Sequence, residues 1–155
     1  MSYHVRGLDA APFRHLFGQP EAVLAAQGVV RVRANAKPGF PCRISLEDAE
    51  PGETLLLLNH TDHDVATPYR NSYAIYVRES AGEPAMLADR LPPVLQGRPI
   101  ALRGYDADGM LRSATLKTGD VEAGIAELFT RPDIAYIHAH NAAYGCFAAR
   151  IERDG

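Results

Sequence analysis

A chain of 155 residues, 46% hydrophobic and with a formal net charge of −3, suits one folded domain and gives no general electrostatic reason to bind nucleic acid or an anionic membrane. No apolar run nears the roughly 18 residues of a membrane-spanning helix, and the first ten residues lack the basic-then-apolar order of a secretory signal. The expectation is a cytoplasmic protein whose two cysteines, Cys42 and Cys146, are free thiols rather than a disulfide framework.

Two short helices are expected first. Phe13, Leu16 and Phe17 recur at helical spacing ahead of Gly18, and a second segment runs from Pro20 to Gly28, with proline in its first turn and glycine past its last. Residues 1–28 therefore read as a helical segment, and 29–153 as the sheet-rich body of the same domain. Over 29–34, Val30 and Val32 alternate with Arg31 and Arg33, the pattern of a half-buried strand with its arginines outward. Residues 37–41 form a turn. The four leucines at 55–58 predict a central strand covered on both faces, and 73–78 is rich in aromatic and β-branched residues. Residues 91–99 read as a proline-rich surface loop. Residues 100–105 and 110–117 pair as a hairpin across Asp106-Ala-Asp-Gly109. The clearest helix begins after Asp120 as N-cap, carries Val121, Ile125, Leu128 and Phe129 on one stripe, and stops near Thr130 ahead of Pro132. A strand over 134–140, a turn over 141–145 and a return strand over 146–152 complete the chain. The fold class is α+β: a single domain, a largely antiparallel sheet, two short N-terminal helices and one later helix packed on it.

The chemistry concentrates in that last hairpin. Strand alternation puts Tyr136, His138 and His140 on one face, and pairing His140 with Cys146 brings the thiol to the same side. Three readings follow. A metal, zinc or iron, would take His138, His140 and Cys146 as ligands, but no established zinc spacing supports the set and the expectation favours no metal over either ion. A thiol mechanism would use Cys146 or Cys42, with a histidine as base and Asn141 orienting the imidazole. Anion recognition would rest on Arg43 and Arg70, since guanidinium grips carboxylate or phosphate in two-pronged fashion. The run 59–64, Asn-His-Thr-Asp-His-Asp, reads mainly as a solvated loop because it follows the leucines without calcium-loop spacing. No phosphate loop, nucleophile elbow or His-Glu-x-x-His helix occurs.

Pro41-Cys-Arg43, the leucine run ending in Asn59, Thr67-Pro-Tyr-Arg70, Asp106-Ala-Asp-Gly-Met110, His138-Ala-His-Asn-Ala142 and Gly145-Cys146 occur together in order. In this the chain resembles a bacterial family, the domain of unknown function numbered 1203, from about residue 30 to 153. The resemblance implies a small single-domain cytoplasmic protein. It carries Cys42, Arg43, Asn59, Tyr69, Arg70, His138, His140, Asn141 and Cys146 over as site positions, and leaves 60–64 outside its pattern. The functional expectation is a pocket for a small anionic molecule with His/Cys/Arg chemistry, walled by the hairpin and by the Pro-Cys-Arg and Pro-Tyr-Arg loops. In the enzymatic form His138 or His140 is the base, Asn141 and Cys146 complete the catalytic set, and Cys42, Arg43, Asn59, Tyr69 and Arg70 bind substrate. The alternatives are a non-catalytic metal or ligand sensor and a purely structural polar network. An exposed edge strand would allow a homodimer, which no residue requires.

Overall fold

The computed structural model describes residues 2–154. Two antiparallel sheets carry the described residues. The strands are β1 (Tyr3–Arg6), β2 (Val30–Arg33), β3 (Thr54–His63), β4 (Asn71–Arg78), β5 (Met86–Ala88), β6 (Ile100–Tyr105), β7 (Leu111–Lys117), β8 (Tyr136–Asn141) and β9 (Phe147–Arg153). The larger sheet runs β5-β1-β9-β8-β6-β7 and the smaller β2-β3-β4. Helix α2 (Val121–Phe129) lies on the larger sheet, burying Ile125, Leu128 and Phe129 against Leu102, Ile137, Ala139 and Ile151. Gly124 permits that approach, because a Cβ there would stand 2.8 Å from a Leu102 methyl. Period-two alternation thus sends Ile137 and Ala139 of β8 into the apolar core and leaves Tyr136, His138 and His140 for the opposite face.

The N-terminal expectation needs correction. In place of two helices there is one turn of 3-10 helix, Arg14–Leu16, and one short helix, α1 (Glu21–Ala25). Phe13, Leu16 and Leu24 do point inward, but into the smaller sheet's core with Leu56, Leu58, Ile75 and Val77, and that packing holds them without a long helix. Before them comes β1, inserted between β5 and β9, whose Tyr3 and Val5 point inward over only two periods, too brief a pattern to mark a strand in advance. Strand β2 also departs from expectation: Val30 is 54% exposed while Arg31 is half-buried in an ion pair with Glu79. The proline-rich segment 91–99 is anchored by Val94 and Leu95, both buried, in a second 3-10 turn.

The segment 41–46 stitches the sheets together. Arg43 N–H donates to Tyr76 O of β4, Ala85 N–H to Ile44 O, and the Arg43 guanidinium to Phe147 O of β9. Gly7 makes the closest approach, since a Cβ there would lie 2.0 Å from Ile44 O.

Candidate functional site

Two bulges aim the side chains of the site. In the β3–β4 ladder Thr61 faces Ser72 and His63 faces Asn71, so Asp62 is the extra, unpaired residue. A bulge bends its strand and turns the extra side chain, so consecutive residues can serve one face. The Asp62 side chain is 1% exposed and His63 is buried, both turned toward β8. The run 59–64 is therefore mostly strand rather than a solvated loop. In the β8–β9 ladder, Ala139 faces Ala149 but His140 faces Phe147. The expected His140–Cys146 pairing slips by one residue, and Cys146 lies beyond the strand's end.

Asp62, His138 and His140 converge. His138 Nδ1 and His140 Nε2 each stand 3.9 Å from Asp62 Oδ2, and the three ligand atoms all lie within 4.8 Å of one another. All three atoms are buried and without a hydrogen-bond partner. Their orientation is fixed from behind. His140 Nδ1 lies 2.9 Å from Gly145 O, and a carbonyl only accepts, so Nδ1 carries the proton and Nε2 presents a bare lone pair. Asn71 Nδ2 donates to Asp62 Oδ1 at 2.8 Å, leaving Oδ2 as the free oxygen. Burial, then the Arg150 charge, pushes His138 down to about 2, and burial, then Arg103, pushes His140 down to about 4. Both imidazoles are thus neutral at physiological pH. Burial pushes the Asp62 carboxyl up.

Around this triad the aromatic groups are occupied with one another. His63 donates through Nδ1 to Tyr69 O at 2.9 Å and accepts at Nε2 from the Tyr136 hydroxyl at 2.7 Å, so neither nitrogen is free for a ligand. Tyr105 packs on both His63 and Tyr136. A cleft of about 390 Å³ opens onto Asp62, His138, Phe147 and Arg150, with Arg6 and Asp9 also in its wall.

A larger cleft, about 580 Å³, lies at the turn of the hairpin and takes in Arg43, Asn141, Tyr144 and Cys146. Arg43 is 2% exposed; it donates to Pro41 O, to Phe147 O and, at 3.0 Å, to Cys146 Sγ. Asn141 Nδ2 reaches the same sulfur at 3.5 Å rather than an imidazole. Of the expected positions, then, Arg43, Asn141 and Cys146 share one cleft, while His138 and His140 face the triad behind the other. Cys42 is fully buried, its sulfur accepting from the N–H groups of Ile44 and Arg78. Asn59 is exposed on β3, and Arg70 pairs at 3.3 Å with Asp64 in solvent. Tyr69 serves through its carbonyl. Its turn is tied to the Asp106–Met110 hairpin where Thr67 Oγ1 donates to Gly109 O, so two of the motif turns buttress His63.

Asp62 is the site residue that sequence reasoning passed over. The uninterrupted polar run 59–64 carries no period that would signal an inward turn at Asp62, because a bulge leaves no mark in the sequence.

The family model for proteins of unknown function numbered 1203 matches residues 39–153, so the chain belongs to that family. The matched span includes every residue of the triad and of the larger cleft's Arg43–Asn141–Cys146 group. No curated protein and no solved structure matches the chain.

Proposed function

Membership of a family without a known activity leaves the chemistry to be argued from the residues, and we propose that this protein is a metal-dependent small-molecule protein. Its centre is one divalent first-row transition ion held by Asp62, His138 and His140. The observation that carries the reading is the convergence of three buried, partnerless donor atoms. With two sides of the triangle at 3.9 Å and the third no longer than 4.8 Å, the point equidistant from its corners lies within about 2.5 Å of each, so sub-ångström adjustment reaches the 2.0 to 2.2 Å of zinc–nitrogen and zinc–oxygen bonds.

Hydrogen bonding to the remaining nitrogen of a ligand histidine and to the remaining oxygen of a ligand carboxylate is the usual outer support of a metal, and Gly145 and Asn71 supply it. Two imidazoles and a carboxylate suit zinc, iron, cobalt or manganese in the divalent state. Three protein ligands would leave positions for water or substrate, as catalytic rather than structural sites do, and two of them, Asp62 and His138, border the smaller cleft. Calorimetric titration of chelator-treated protein with Zn²⁺ tests this. The expected result is one site per chain, lost in Asp62→Asn and His140→Ala; absence of any site in folded wild type would overturn it.

A second reading, a binding site for a small anion in the larger cleft, is favoured by Arg43. Its buried guanidinium meets two carbonyls and a thiol but, among the described residues, no carboxylate. A carboxylate ligand there is expected to protect Cys146 from iodoacetamide, and unchanged labelling across a panel of small carboxylates and phosphates would count against it.

A further inference from the structure

We propose that the ligand of the metal site is a small oxyanion, a carboxylate or phosphate group, held between the metal ion and the guanidinium of Arg150. The inference rests on the metal reading above. Four observations lead to it.

The first is register. His138 faces Arg103 on β6 and Arg150 on β9, and directly opposed residues share a face, so the central ligand histidine is flanked by a guanidinium on each side. The second is an unmet donor. Arg150 Nε is buried and has no acceptor, while Arg150 Nη2 makes only a 3.5 Å contact with Glu152. The guanidinium lies 4.0 Å from the centre of the Tyr136 ring, which fixes its plane in advance of any ligand.

The third is charge. A divalent ion, Arg103 and Arg150 would face the single buried carboxylate of Asp62. Glu152 touches Arg150 at 3.5 Å, and it is shared with Arg6 at 2.8 Å and His4 at 3.5 Å. Asp9 stands in the wall of the cleft, and no ion pair joins it to either guanidinium among the described residues. An excess of positive charge in a partly desolvated site calls for an anion, and buried charge without one is expensive. The fourth is access: the cleft reaches both His138 and Arg150, and Leu8, Pro84, Ala85, Met86 and Phe147 give it apolar walls. About 390 Å³ sits at the small end of ligand pockets, so the oxyanion belongs to a compact molecule with an apolar body.

The experiment uses the full chain, stripped with chelator and loaded with one equivalent of Co²⁺, whose visible absorption reports its ligands. Inorganic phosphate and acetate are titrated separately, so that phosphate and carboxylate sources are told apart. The expected result is a saturable spectral change with at least one of the two. In Arg150→Met, cobalt uptake should persist while half-saturation by the anion rises about tenfold or more, the worth of a charge-assisted hydrogen bond. Arg150→Lys should fall between. Should Arg150→Met fail to take up cobalt, Arg150→Lys alone decides: anion affinity equal to wild type overturns the proposal. Cobalt bound at one equivalent with no response to either anion overturns the oxyanion while leaving the metal reading in place. No cobalt uptake by wild type overturns both.

Discussion

Asp62 is costly where it stands. Its carboxylate is buried, its folded-state pKa is raised by that burial, and its second oxygen has no partner. With the folded value above the unfolded one, the cost builds as pH rises from the unfolded value to the folded value and is complete above it. Asp62→Asn keeps an oxygen for Asn71 and removes that cost. The metal-free variant is therefore expected to melt at the same temperature as wild type or higher at pH 8, by differential scanning calorimetry, while binding no Zn²⁺. A large loss of stability would instead make Asp62 structural. The thiols differ as sharply. Cys42 is sealed in the core with two N–H donors on its sulfur, whereas Cys146 borders the larger cleft. Iodoacetamide under native conditions should label Cys146 well ahead of Cys42, read by peptide mass spectrometry; equal labelling would contradict the placement.

Among the elements, those with a strong period were legible: the leucine strand, the β6–β7 hairpin, helix α2 and the alternating face of β8. What escaped has a physical reason in each case. A bulge adds one residue to one strand without needing glycine or proline, so nothing in 59–64 announced that Asp62 would be turned inward, and nothing at Ala148 announced that Cys146 would slip out of register with His140. The four-residue β1 and three-residue β5 are too short to stand out by period, and they form because β9 offers β1 an edge and β1 in turn offers one to β5. Asp120 does sit at the N-cap, yet in a left-handed backbone with no capping bond from its side chain. The stitching of β1 to the 41–46 segment gives a test at this scale. Gly7→Ala would drive a methyl into Ile44 O, and we expect a loss of about 2 to 3 kcal/mol in urea unfolding, as for overpacked interiors. A change below 0.5 kcal/mol would mean the two backbones separate easily.

At the scale of the molecule, the triad joins the two sheets: Asp62 comes from the smaller, His138 and His140 from the larger. The domain therefore carries a polar, partnerless seam where an apolar core would be more stable, and the proposed metal site rests on that seam. Acid should open it. His138 at about 2 and His140 at about 4 stay neutral in the fold while an unfolded histidine protonates near 6.5. The unfolded state thus binds more protons below about pH 6.5, and by pH 5 each histidine costs up to about 2 kcal/mol, opposed by the one raised carboxyl. Urea unfolding of metal-free protein at pH 7.5 and 5 should show that fall, and a flat profile would contradict the burial of the pair. No helix among the described residues is long and apolar enough to cross a membrane. A bound metal should tighten the seam and raise the melting temperature in proportion to its affinity.

The most direct measurement is the metal content of the untagged protein purified without chelator, set beside an Asp62→Asn, His140→Ala double variant. The metal reading predicts close to one equivalent of a first-row transition metal per wild-type chain and none in the variant. A folded wild type that carries none and takes up none when zinc, iron, cobalt or manganese is supplied would contradict it.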